Sequence, residues 1–183
     1  RNDLSKSNFV ATSLFSDGIA SVIVLGSNAV KNYEPSFHVE IVDSQSKLYY
    51  DSEDVMGWEF LDDGFKVVFS KDIPSIIKDN VKCDIESFLS KNNLKIADVK
   101  NFIAHPGGAK VLQAYTDALD LKPEMLYHSR AILRDYGNMS SVSVLYVLER
   151  FLHEGFNDGY GIMISLGPGF SSELVLLKMM HKR

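Results

Sequence analysis

The rhythm of apolar positions changes several times along the chain, and each rhythm predicts an element. Ser21–Gly26 (SVIVLG) is β-branched and apolar at successive positions, so it predicts a strand covered on both faces. Phe37–Asp43 alternates more loosely and predicts a second strand. Trp58–Leu61 and Phe65–Ser70 flank Asp62, Asp63 and Gly64, the pattern of a hairpin with a short turn. Asp72 then caps a helix with Pro74 in its first turn. Its apolar residues Ile73, Ile77, Val81, Ile85, Phe88 and Leu89 keep helical spacing to about Ser90. Asn101–Ala104 predicts a short buried strand, and Gly107–Leu119 and Ser129–Asp135 predict helices. Ser140–His153 predicts a helix of another kind. Val142, Val144, Leu145, Tyr146, Val147 and Leu148 leave its first half without a polar face, as in a helix buried between layers. Tyr160–Leu166 and Glu173–Met179 predict two closing strands joined by the turn Gly167-Pro168-Gly169. Strands alternating with helices, with helix enough for both faces of a sheet, predict an α/β layered domain. No repeat, low-complexity tract or linker interrupts the pattern, so one domain is expected.

Composition narrows the function classes. The 183 residues are 45% apolar and 23% charged, enough to bury a core without a staple. Cys83 is the only cysteine, which excludes a disulfide framework. A net charge of -5 argues against nucleic acid, whose phosphates call for clustered Lys and Arg. No stretch approaches the roughly 20 apolar residues that span a bilayer. Residues 1–8 are polar and lack the apolar stretch of a signal peptide, so a cytoplasmic protein is expected. The chain starts with Arg1, which marks it as processed or as part of something longer.

Two places stand out chemically. His105 ends the apolar strand Asn101–Ala104 and precedes Pro106-Gly107-Gly108, which opens a helix. Such a histidine points into a crevice of an α/β protein, or merely caps a strand. Asn138 follows Gly137, which can end the preceding helix in left-handed geometry, and precedes the apolar helix. It is either an ordinary N-cap or part of an anion site at a buried helix N-terminus. Cys83 lies mid-helix with no base or helix N-terminus beside it, so it is expected as a small, partly buried side chain. The five histidines and one cysteine show no zinc spacing, and no phosphate-loop or dinucleotide motif is present. The sequon Asn138-Met139-Ser140 is discounted, because the helix it opens looks buried.

Four strings appear in a fixed order: Leu14-Phe15-Ser16-Asp17-Gly18-Ile19-Ala20, Ile103-Ala104-His105-Pro106-Gly107-Gly108, Tyr136-Gly137-Asn138-Met139-Ser140-Ser141 and Gly167-Pro168-Gly169-Phe170. Together they resemble the C-terminal half of the type III polyketide synthases, the chalcone synthase-like enzymes, and among them the bacterial alkylpyrone-forming members. The resemblance implies a thiolase-like fold, of which this chain is the C-terminal half: a mixed sheet with helices on both faces, part of a five-layer α-β-α-β-α parent. It implies residues 1–183 as a C-terminal domain whose N-terminal partner, carrying the nucleophilic cysteine, is absent; Cys83 does not match that cysteine. By the same resemblance His105 and Asn138 are catalytic. Phe15 lies between a CoA tunnel and the cavity, and Val67 stands where plant members carry a second gate phenylalanine. Gly108 and Ala109, with Lys110, meet a pantetheine arm, and Ser165, Leu166, Gly167, Pro168 and Gly169 border the cavity.

The implied substrates are acyl-CoA and malonyl-CoA, with no metal or organic cofactor, and the implied parent is a homodimer. Two alternatives stand beside this reading: a ketoacyl synthase of the third type, which shares the His, the Asn and the fold, or a half-domain acting as a partner or scaffold without catalysis. Separation from its other half would also expose central-layer apolar surface, so self-association of the isolated chain is expected.

Overall fold

The computed structural model describes residues 5–33, 35–62, 64–70 and 72–182. Helix α1 (Lys6–Leu14) opens it, with the Ser5 hydroxyl accepting a hydrogen bond from the Asn8 N–H at the N-cap. The long strand β1 (Phe37–Leu48) follows, then the hairpin β2 (Met56–Leu61) and β3 (Gly64–Phe69). A helical stretch runs through α2 (Ile73–Ile76), one wide turn over Ile77–Val81 and α3 (Lys82–Lys91). Strand β4 (Val99–Ala104) leads to α4 (Ala109–Leu119), α5 (Tyr127–Tyr136) and α6 (Val142–Glu154). Strands β5 (Gly159–Gly167) and β6 (Ser171–His181) complete the chain.

Four strands form one mixed sheet in the order β1-β6-β5-β4. The β4–β5 pair is parallel, while β6 runs antiparallel to both β5 and β1. Because side chains alternate along a strand, the sheet has two apolar faces to bury. Phe102, Ala104, Ile162, Ile164, Leu174 and Leu176 pack with Ile77, Ile85, Phe88, Leu89, Leu112 and Tyr115 of the helices on one side. Ile103, Leu177 and Met179 pack with Ile132 of α5 and with Val144, Val147 and Phe151 of α6 on the other. The expected α/β sheet with helices on both faces is thus present. One polar group sits inside the first layer: Asp84 is held by both Lys47 and the Tyr49 hydroxyl.

Four expectations are corrected. Ser21–Gly26 forms no strand; it lies on the surface without regular secondary structure, with Ile23 86% and Val24 69% exposed. Both-face apolarity in the sequence demanded two covering layers, and neither layer is supplied by this chain. Helix α6 is not buried all round: Ser143, Val144, Val147 and Phe151 are buried, and Leu145, Tyr146 and Leu148 are only partly so. Asp72 stands at the start of α2 but makes no capping hydrogen bond with its side chain; its carboxylate instead accepts from the Ser70 hydroxyl. Cys83 is exposed, not partly buried. Of the hairpin turn, Asp63 lies outside the described residues. Among those described, no helix is long and apolar enough to cross a membrane.

The run Ile19–Leu25 is a contiguous apolar surface, which drives association in water. Analytical ultracentrifugation of the 183-residue chain is expected to show concentration-dependent self-association, reduced by Ile23→Lys combined with Val24→Lys. A chain that is monomeric at every concentration, with or without these substitutions, would contradict the assignment of this surface.

Candidate functional site

The site forms where parallel pairing stops. Strand β4 ends at Ala104, and the His105 N–H donates to the Ile164 carbonyl of β5 at 2.8 Å, the last rung of the ladder. The chain then turns sharply: the Gly107 N–H donates to the His105 carbonyl at 2.9 Å, and α4 starts at Ala109 with Gly108 as its N-cap. The Ser129 hydroxyl of α5 donates to the Ala104 carbonyl at 2.7 Å and ties that helix to the strand end. His105 is therefore carried on a buried strand end fixed by hydrogen bonds to both β5 and α5.

Asn138 reaches the same place from the α5–α6 junction. Gly137 ends α5 with φ 74° and ψ -157°, a region open essentially to glycine and different from the left-handed helical geometry expected. Helix α6 begins only at Val142, with Ser141 at its N-cap, so Asn138 is not the N-cap either. Its carboxamide instead organises the junction. Oδ1 accepts the Ser140 N–H at 2.9 Å, while Ser140 itself sits at φ 57°. Nδ2 donates to the Gly107 carbonyl at 3.2 Å. These two bonds fix which end of the amide is nitrogen, and they leave one of its two N–H donors for the pocket.

One pocket collects both residues. Phe15, Val67, His105, Asn138, Leu166 and Pro168 line it, together with Met56, Trp58, Phe69, Val111, Tyr115 and Ser140. Gly108, Ala109, Ser165, Gly167 and Gly169 flank these residues in sequence but do not line it. Phe15 leans on Phe69 of β3, with ring centroids 5.9 Å apart. Three residues missed in the sequence had a readable signal. Val111 and Tyr115 lie four apart on α4, one face of a helix that starts beside His105. Trp58 is the cross-strand partner of Val67. Ser140 and Met56 gave none.

The lining is apolar apart from a few polar groups, and this governs the imidazole. His105 Nδ1 is buried without a hydrogen-bond partner among the described residues. Desolvation pushes the His105 pKa down to about 4, so the ring is neutral at pH 7. Among the described residues, no three His, Cys, Asp or Glu side chains come together where they could hold a metal ion. Since the folded pKa lies below the unfolded value of about 6.5, neutral burial contributes stability that is complete above that pH. It is lost as pH falls toward about 4. An NMR titration of the His105 ring in this chain should give a midpoint near pH 4. A midpoint at the ordinary histidine value would contradict the dry pocket.

The sequence profile of the chalcone and stilbene synthase C-terminal domain matches residues 40–181. A Bacillus subtilis (strain 168) protein that bears the name of a chalcone synthase is 45% identical over 95% of this chain, and 48% of that protein is covered. The 1,3,6,8-tetrahydroxynaphthalene synthase of Streptomyces peucetius subsp. caesius is 37% identical over 97% of this chain, covering 47% of its own length. The crystal structure of 1,3,6,8-tetrahydroxynaphthalene synthase from Streptomyces coelicolor A3(2), a bacterial type III polyketide synthase, superposes on all of this chain and 50% of that one. Its TM-score is 0.87, at 26% identity. The chain thus spans about half the length of the curated relatives it matches. The fold is that of the thiolase-like C-terminal halves of type III polyketide synthases. The alternative of a ketoacyl synthase of the third type gives way to this match. A sheet end carrying His105, a junction carrying Asn138 and a matched profile converge: the chain belongs to the chalcone and stilbene synthase family, as the C-terminal domain of a type III polyketide synthase.

Proposed function

We propose that this chain supplies the decarboxylation and oxyanion groups of an enzyme that extends an acyl-CoA starter with malonyl-CoA, the nucleophilic cysteine coming from an N-terminal half. The observation that carries the reading is the convergence of His105 and the spare Asn138 N–H on one apolar-walled pocket. A cysteine thiolate attacks the starter thioester, forms a thioester to the enzyme and expels CoA thiolate. Malonyl-CoA then loses carbon dioxide: the bond to its carboxylate breaks, and the electron pair moves onto the thioester oxygen. His105 and Asn138 donate hydrogen bonds to that oxygen, where donors in a dry site are most effective. The enolate carbon attacks the enzyme-bound acyl carbonyl, and the cysteine thiolate leaves. Repetition lengthens the chain. The reading requires no metal or organic cofactor, and it takes the parent to be a cytoplasmic homodimer. Phe15, facing Phe69, serves as the gate on the pocket, and Val67 as a small wall residue that leaves room for the acyl chain. The pantetheine role of Gly108 and Ala109, and the cavity border at Ser165, Gly167 and Gly169, belong to the same reading.

The test is decarboxylation of malonyl-CoA, followed as carbon dioxide release. The parent protein that contains this chain is expected to turn over. Asn138→Ala should lose about 10²–10³ in rate, the usual cost of one oxyanion donor. The 183-residue chain alone should be inactive. Turnover by the isolated chain, unchanged in Cys83→Ala and Asn138→Ala, would overturn the division of labour, and a parent without any turnover would favour a scaffold role.

A further inference from the structure

Asn138 does not hold itself in place. Its N–H donates to the Leu14 carbonyl at 2.8 Å, and its carbonyl accepts the Ser16 N–H at 3.0 Å. These two bonds make an isolated parallel bridge between Phe15 and Asn138, outside every sheet. The bridge is reinforced on both sides. The Ser16 hydroxyl donates to the Tyr136 carbonyl, one residue before Gly137. Gly137 admits the approach because it has no side chain: a Cβ there would lie 2.8 Å from the Leu14 carbonyl and 3.2 Å from Ser16 Oγ. Gly18 makes the next close contact, where a Cβ would stand 2.5 Å from Met139 Sδ. The segment that carries the pocket aromatic Phe15 is therefore the same segment that fixes the backbone of the pocket amide Asn138.

We propose that Ser16 and Gly137 are positioning residues that hold Asn138 in register with His105 through the Phe15 segment. Neither residue lines the pocket. Both act through the bridge, so the placement of the gate ring and of the amide donor is one structural variable. Displacing Leu14–Ser16 moves the Asn138 backbone, and with it the Nδ2 bond to the Gly107 carbonyl next to His105. The catalytic consequence rests on the function proposed above; the coupling itself does not.

Two readouts keep these apart. The first needs no turnover. In the isotopically labelled 183-residue chain, the Asn138 and Ser16 backbone N–H groups should be protected from hydrogen exchange together. Ser16→Ala should lower the protection of both and shift the Asn138 carboxamide signals, and Ser16→Thr should restore them. Gly137→Ala should abolish the protection, and if that variant does not fold, the Ser16 pair alone decides. The second readout uses the parent protein. Ser16→Ala and Gly137→Ala should slow malonyl-CoA decarboxylation, Gly137→Ala by about 10²-fold, the scale on which a misplacement of about 1 Å acts. The single-turnover acylation of the cysteine should fall much less than decarboxylation does. Asn138 signals and protection that do not respond to Ser16→Ala would overturn the proposal. So would an equal loss of acylation and decarboxylation, which marks a merely structural role. A wild-type parent that never decarboxylates malonyl-CoA would overturn the function above, and the proposal would then be decided by the Asn138 signals.

Discussion

A strand that is apolar on both faces persists only where something covers both, and this constraint orders the whole molecule. Strands β4, β5 and β6 satisfy it inside the chain, with α2, α3 and α4 over one face and α5 and α6 over the other. The β4–β5 ladder is consequently covered on both faces and hydrogen-bonded up to its last rung at His105. Ser21–Gly26 is as apolar as those strands, but the described residues offer it no layers, and it stays irregular with its side chains exposed. It also lies before residue 40, where the match to the C-terminal domain profile begins. The same rule thus explains both where the site rests on a covered sheet and where an apolar segment is left exposed.

The chemistry of His105 follows from the dryness of its pocket. Buried against apolar walls with Nδ1 unpartnered, the ring is neutral, because nothing in the described residues repays its charge. An anion brought into the pocket reverses the balance: it favours the imidazolium, and the imidazolium in turn lowers the pKa of a thiol beside it. On the function proposed above, this neutral histidine is one half of an ion pair, poised by desolvation and completed by a partner. Asn138 needs no such partner, since both its amide bonds are made within the chain, and it offers a donor whether or not an anion is present.

The sequence disclosed the elements that depend on local rhythm. The hairpin, β4, α4 and the closing pair β5–β6 stand where alternation and helical spacing placed them, and the His105 crevice follows from a strand end before two glycines. It disclosed less where structure depends on distant contact. Asn138 has the character of an N-cap because Asn is a favoured one, yet the N-cap of α6 is Ser141, three residues later. What sets its position is a backbone bridge to Phe15, more than a hundred residues earlier in the chain. Gly137 looked like a left-handed helix end, whereas its conformation answers to the Leu14 carbonyl pressed against it. Ser21–Gly26 was legible as a strand in character but not in fact, since propensity cannot supply a missing layer.

The central claim is that His105 belongs to a catalytic set completed outside this chain. The most direct measurement is the pH dependence of alkylation of the nucleophilic cysteine in the parent protein, with His105 and with His105→Ala. With His105 present, the thiolate should persist well below the ordinary thiol pKa of about 8.5, and in the variant it should return toward that value. Identical alkylation profiles in the two proteins would show that His105 does not act on the cysteine, and would contradict the account.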